Sequence, residues 1–408
     1  MPSQVRIASP TLNKILRFIF KRYFRYRYNM IADIEKIKDI KGPFLLLANH
    51  INNWDPFFIN AFVEEPIHYV ASDEQFRNPI KGFVLTHVFG AIPKKKFVSD
   101  MESVKAIIKV VRSGHSVGIF PEGQRNWNGE TGTLLFSTAK LIKLLKIPLI
   151  TVKIKGAHLT HPRWATKDRI GKIELDYDYI LSPEEIGDLS EEAIHKKLEH
   201  SVYHDEIAYQ EVNMVPYKGK NLAERLELYL FTCAKCNTIG SLKSKNNTLC
   251  CEECNYSVVY NEYGYLENSD MDLPFSYPGQ WDKWQLSYLT TLFRKAMQEE
   301  PQVLLEDKDV TILIGNKLMP LRNFAQGTIS LDTKVFSILA DGITLKSFKI
   351  EKLSGINVQY NNEFEFYYDK ALYRFKFKNK SISSYKWVSS LEILQRLITE
   401  KKVVIKPR

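Results

Sequence analysis

The chain has 408 residues, 44% hydrophobic and 25% charged, with a formal net charge of +10. That length allows two or three domains with a sizeable core. The basic balance favours an anionic partner: a lipid face, a phosphorylated substrate or nucleic acid. No apolar stretch reaches about 18 residues, so no transmembrane helix is predicted. Repeated Lys and Arg among the first apolar positions argue against a signal peptide.

From the N-terminus, Thr11 to Ile31 interleaves Leu12, Ile15, Phe18 and Ile19 with Lys14, Arg17, Lys21 and Arg22. This predicts a basic amphipathic helix, with residues 1–31 lying on an anionic, cytoplasmic membrane face as a peripheral anchor. The plainer alternative is a helix packed on its own domain. Residues 32–215 alternate between strands, predicted over 44–48, 67–71, 116–120, 149–154 and 172–177, and helices over 56–63, 100–113, 133–146 and 191–205. The alternation predicts an α/β fold with a mixed sheet flanked by helices. Asp55 before Pro56 reads as a helix cap, and Ser99 with Glu102 as a capping box. Residues 216–270 hold all five cysteines. A helical connector spans 271–308. From 309 to 408 short strands, including one over 348–353, precede a helix over 384–398. That pattern predicts a small C-terminal β-barrel closed by a helix.

Two strand ends carry chemistry. The run Phe44-Leu45-Leu46-Leu47-Ala48 leads to His50, with Asp55 five residues on. A hydroxyl is a poor nucleophile without a base, and a histidine serves best when a carboxylate fixes its tautomer. On one straight helix the two would sit about 140° apart. A helix starting near Asp55 instead lets His50 fold back from the preceding loop. The run Val117-Gly118-Ile119-Phe120 leads to Pro121-Glu122-Gly123-Gln124-Arg125. Gly123 permits a turn other residues resist, and Arg125 offers a fork suited to phosphate. Glu122 is expected to position Arg125 or a ligand hydroxyl.

These motifs, with Gly90-Ala91-Ile92-Pro93-Lys94-Lys95-Lys96 between them and Ile147-Pro148-Leu149-Ile150 after them, resemble the glycerolipid acyltransferase family of lysophosphatidic acid acyltransferases. The resemblance covers residues 30–210. It implies that His50 is the general base and Asp55 its orienting partner. The acceptor hydroxyl would attack an acyl thioester directly, with acyl-CoA or acyl carrier protein as donor. Lys96, Glu122, Gly123 and Arg125 would bind a lysophospholipid acceptor, yielding phosphatidic acid. Lys96 stands where the family has arginine, and Thr151 where it has a second proline; Gln124 and Asn126 replace the usual Thr and Ser. These departures bear on the acceptor more than on the reaction.

Cys233-Ala234-Lys235-Cys236 and Cys251-Glu252-Glu253-Cys254 are two knuckles with the spacing of a closed tetrahedral Zn²⁺ site. A zinc ribbon with a structural ion is expected on Cys233, Cys236, Cys251 and Cys254, with Cys250 as a less well-spaced substitute for Cys251. Ribbons also occur in nucleic-acid proteins, but that reading leaves the ordered motifs unexplained, and no nucleic-acid partner is expected. His200 and His204, four apart on a predicted helix, read as a solvated face. His158 and His161 follow a strand near the proposed site and are candidates for substrate contact. The C-terminal segment weakly resembles a pleckstrin-homology-like or GRAM-like module, with Trp387 on its final helix.

Overall fold

Leu45-Leu46-Leu47-Ala48 is apolar at every position because both faces of the strand it forms are covered. Leu45 and Leu47 point into one buried cluster, Leu46 and Ala48 into another, as the period of two requires. The computed structural model describes residues 6–94, 101–268, 273–316 and 320–405. They form two compact units, one reaching Arg163 and resuming over Lys167–Gly219, the other taking Trp164–Thr166 and the chain from Lys220.

The first unit runs α1 (Pro10–Tyr28), β1 (Ile31–Asp33), β2 (Leu45–Ala48), α2 (Asp55–Asn60), β3 (Ile67–Ser72), α3 (Pro79–His87), β4 (Ile92–Lys94), α4 (Met101–Arg112), β5 (Ser116–Ile119), α5 (Ser137–Leu145), β6 (Leu149–Lys155), α6 (Ala157–Thr160), β7 (Glu174–Leu181), α7 (Pro183–Asp188), α8 (Glu191–Val202) and α9 (Glu206–Asn213). Its sheet has the order β1-β7-β6-β2-β5-β3-β4. Strands β6, β2, β5, β3 and β4 run parallel; β7 is antiparallel to β6 and carries β1 parallel to itself. The expected mixed sheet is present, and the C-terminal ends of five strands share one edge.

Several boundaries differ from expectation. The first helix stops at Tyr28 because Asn29 turns left-handed, φ 44°, and Ile31 already pairs in β1. Asn tolerates that conformation better than most residues. The helix predicted over 191–205 ends at Val202, and Asp205 caps a separate α9 by accepting from Ile207 and Ala208 N–H. His204 therefore leaves the solvated face expected for it: it is buried, with Nε2 2.8 Å from Glu206 Oε2. Ser99 and Lys96 lie outside the described residues. Among the described residues, no helix is long and apolar enough to cross a membrane.

The second unit holds β8 (Leu242–Lys245), β9 (Thr248–Cys251), β10 (Ser257–Tyr260) and β11 (Leu266–Glu267) in one antiparallel sheet, then α10 (Pro278–Ala296). A seven-stranded antiparallel sheet follows: β12 (Leu305–Gly315), β13 (Arg322–Leu331), β14 (Val335–Ala340), β15 (Ile343–Lys349), β16 (Ser354–Gln359), β17 (Glu363–Tyr368) and β18 (Ala371–Phe377), ending in α11 (Ser384–Ile405). Trp387 of α11 is fully buried, stacks on Phe364 and donates from Nε1 to Asp307 at 2.7 Å. The sheet order is β15-β14-β13-β12-β18-β17-β16, and no ladder joins β15 to β16 among the described residues. The expected closed barrel is thus an open sheet. The single strand expected over 348–353 is the reason: a 3-10 turn at Ile350–Lys352 divides it, sending β15 and β16 to opposite edges.

Candidate active site and metal centre

The loops leaving β2, β5 and β6 are neighbours, because β2 pairs with both other strands. This is the edge where parallel strands present ligands. Asn49 fixes the start of the β2 loop. Its Nδ2 donates to the Ile154 carbonyl at 2.9 Å, and its Oδ1 accepts from the Ile154 N–H at 2.8 Å.

His50 then turns back onto Asp55. Its Nδ1 lies 2.8 Å from Asp55 Oδ2, and the ring stacks on Phe120 at 4.2 Å. The same Oδ2 accepts from the N–H groups of Ile51 (2.7 Å) and Asn52 (2.9 Å). Asp55 is the first residue of α2, and Trp54 occupies the cap position without a capping side chain. The carboxylate predicted to cap the helix is instead turned back into the loop. It is fully buried, and its Oδ1 has no hydrogen-bond partner among the described residues. This arrangement gives a carboxylate-held imidazole on a short loop.

Glu122 joins the two motif loops. Its Oε1 accepts from His50 N–H at 2.7 Å and its Oε2 from Gly132 N–H at 2.8 Å. Both oxygens are spent on backbone, so the side chain positions the loops. Gly123 has φ +74°, the left-handed turn its sequence suggested. Arg125 is half-buried, its guanidinium makes no hydrogen bond or ion pair with a described residue, and burial pushes its pKa down against the opposing charge of Asp55. An uncommitted guanidinium beside a histidine–carboxylate pair suits an anionic ligand.

Burial pushes the Glu122 carboxyl up to about 7, against the two N–H donors, and the Asp55 charge adds to the rise. The folded protein therefore keeps this proton where the unfolded chain has released it. The resulting stability is full below the usual glutamate range and is lost as pH rises through about 7. Unfolding of wild type and Glu122→Gln, compared from about pH 5 to about pH 8, should shift in favour of glutamine by about 2–3 kcal/mol. A difference that stays flat would mean that Glu122 is charged throughout.

In the second unit, the sulfurs of Cys233, Cys236, Cys251 and Cys254 lie within 4.8 Å of one another. Cys233–Cys254 and Cys236–Cys251 are each 3.7 Å apart. A tetrahedral zinc with bonds of about 2.3 Å needs sulfurs about 3.8 Å apart, so the donor set fits the ion. Each knuckle closes on a left-handed Asn, Asn237 or Asn255, whose N–H returns to the first cysteine's carbonyl. Cys250 lies outside the four.

Sequence reasoning missed Asn49, Phe120 as the platform under His50, and Gly132 as the second anchor of Glu122. Asn49 left a signal: a polar residue continuing an apolar run. His158 is buried, and burial pushes its imidazole down to about 3. His161 is partly exposed beside Asp168.

Residues 29–155 match the family model described as Acyltransferase. A 1-acyl-sn-glycerol-3-phosphate acyltransferase of Borreliella burgdorferi is 34% identical over 93 residues, 22% of this chain and 37% of the relative. The chain thus spans little more than a third of that relative's length. The crystal structure of the 1-acyl-sn-glycerophosphate acyltransferase PlsC of Thermotoga maritima aligns with 47% of this chain and 76% of its own, at 21% identity and a TM-score of 0.41. A chain of the 8S snRNP assembly intermediate aligns with 23% of this chain and 83% of its own, at 14% identity and a TM-score of 0.18. Neither structural likeness is close enough to bear on function.

Proposed function

We propose that this chain, whose residues 29–155 match the acyltransferase family model, transfers an acyl group from a thioester to the free hydroxyl of a lysophosphatidic acid. The observation that carries the reading is the 2.8 Å contact between His50 and a buried Asp55 at the ligand-binding edge of the sheet. His50 accepts the hydroxyl proton as the oxygen attacks the thioester carbonyl. The C–O bond forms, the C–S bond breaks, and the proton passes through His50 to the departing thiolate. Asp55 holds the imidazole in its productive tautomer. Arg125 takes the acceptor's phosphate, with Lys96 proposed beside it on sequence grounds. Glu122 and Gly123 shape the loop that presents Arg125. The donor is acyl-CoA or an acyl carrier protein thioester, and phosphatidic acid is the product.

We further assign α1 to an anionic membrane face. Its Phe24 and Tyr28 are buried, whereas Phe18, Ile19 and Tyr26 are exposed among arginines and lysines. An exposed apolar stripe flanked by cations suits a headgroup boundary. Zn²⁺ on the four cysteines serves structure only, since a closed four-thiolate site leaves no position for substrate.

The test is thiol release by the purified chain from acyl-CoA on anionic vesicles, with lysophosphatidic acid, lysophosphatidylcholine and glycerol phosphate as competing acceptors. Phosphatidic acid is the expected product, and Phe18→Glu should slow the reaction on vesicles. Another preferred acceptor would overturn the assignment of substrate. No thiol release with any of them would leave a lipid-binding adaptor in place of an enzyme.

A further inference from the structure

The loop leaving β6 carries a second histidine–carboxylate pair. His161 Nδ1 lies 2.8 Å from Asp168 Oδ1, and Asp168 Oδ2 accepts from the Tyr28 hydroxyl at 2.6 Å. Both carboxylate oxygens are thereby occupied. The contact with His161 leads the causes that hold the Asp168 carboxyl below its usual range, and Arg27 contributes to the same effect. The histidine and aspartate side chains are each more than a quarter exposed. Nδ1 is buried against Asp168 without a well-aligned hydrogen bond, so Nε2 is the ring nitrogen offered to a ligand.

This pair belongs to the neighbourhood of His50. Asn49 ties the β2 loop to Ile154, near the end of β6. Arg163, two residues after His161, stacks over Trp127 at 4.5 Å and donates to the Arg125 carbonyl at 2.5 Å. Tyr28 packs on Phe58 and Phe24, and Phe24 meets Trp54 of the His50 loop. The chain of contacts therefore runs from His50 to His161 on two sides. With β2 lying between β5 and β6, the loop of His50 has the loop of Arg125 on one side and the chain leading to His161 on the other.

We infer that His161, backed by Asp168 and Tyr28, binds a phosphate group of one substrate, at a subsite separate from the one built on Arg125. An imidazolium held by a carboxylate donates a charge-assisted hydrogen bond from its other nitrogen, which an anionic oxygen accepts. Arg27 adds a cation close enough to act on Asp168. The inference rests on the acyl-transfer reading, in which a thioester donor and a lipid acceptor both carry phosphate. The source of the group, donor or acceptor, is what the experiment separates.

The experiment measures KM for acyl-CoA, for the N-acetylcysteamine thioester of the same acyl chain (which lacks phosphate) and for lysophosphatidic acid. It uses wild type, His161→Ala and His161→Arg. The alanine variant should raise KM about tenfold for one phosphate-bearing substrate, with kcat nearly unchanged. Arginine, a permanent cation, should restore it. A rise confined to acyl-CoA and absent with the N-acetylcysteamine thioester places the donor's phosphate at His161. A rise confined to lysophosphatidic acid places the acceptor's. Unchanged KM values throughout, or no recovery with arginine, would overturn the inference. If wild type turns over no thioester, the acyl-transfer reading fails by itself. Calorimetric titration of coenzyme A and of lysophosphatidic acid into wild type and His161→Ala then decides the subsite without turnover: a loss of affinity confined to the variant supports it, and equal affinities overturn it.

Discussion

His50→Ala should lower turnover by about 10² to 10⁴-fold while leaving thermal stability close to wild type. The imidazole is one-fifth exposed and touches Phe120 and Asp55, so its loss opens little core. Asp55 is the more instructive partner, because it has two jobs. Its Oδ2 receives Nδ1 of His50 and two backbone N–H groups, while Oδ1 is buried without a partner among the described residues. In Asp55→Asn the amide oxygen can take over all three contacts, and the NH₂ group falls where Oδ1 made none. The loop should stay folded, and the charge that stabilises an imidazolium is lost. Turnover should fall about 10²-fold or more with a nearly unchanged Tm. Asp55→Ala instead strands buried N–H groups, at about 1–3 kcal/mol for each. Initial rates and thermal unfolding of the three variants separate the roles. Full activity in His50→Ala would sink the mechanism, and full activity in Asp55→Asn would reduce Asp55 to a loop anchor.

The second large effect is expected at the cysteines. Metal analysis of the purified chain should find about one zinc per chain. The double substitution Cys233→Ser and Cys236→Ser should remove it and lower the unfolding temperature of the second unit. Structural zinc in isolated fingers is worth about 10–16 kcal/mol. The loss here should be smaller, because α10 independently grips the first knuckle. Gln285 Oε1 accepts from Phe231 and Thr232 N–H, and Trp281 Nε1 donates to the Thr232 carbonyl. Chelation should reproduce the substitution. A wild-type chain that carries no zinc would refute the assignment.

The two strand-end motifs were legible because each follows an uninterrupted apolar run. Such a run marks a strand covered on both faces, and the first polar residues after it fall at the sheet edge. The cysteine knuckles were legible because ligand spacing is a local property. What depended on distant partners was not. The sequence around Glu122 names neither His50 N–H nor Gly132 N–H as its neighbours, so the loops joined by a side chain expected to position Arg125 or a ligand hydroxyl were not legible. His204 looked solvated only while α8 was taken to continue past Val202. The strands Ile31–Asp33 and Ile92–Lys94 are too short to show a period, and the exposed apolar residues of α3 blur its own. The open C-terminal sheet hinged on three residues, Ile350–Lys352, that read as strand by composition.

The order of the first sheet has a dynamic consequence. β2 is paired on both sides and packed on both faces, so its amides exchange with solvent only when the sheet opens as a whole. β4 is an edge strand with a single neighbour and can open at lower free energy. The loop of His50 thus hangs from a strand paired on both sides, whose amides should exchange more slowly than those of β4. Opening at the β4 edge need not loosen the contact between His50 and Asp55.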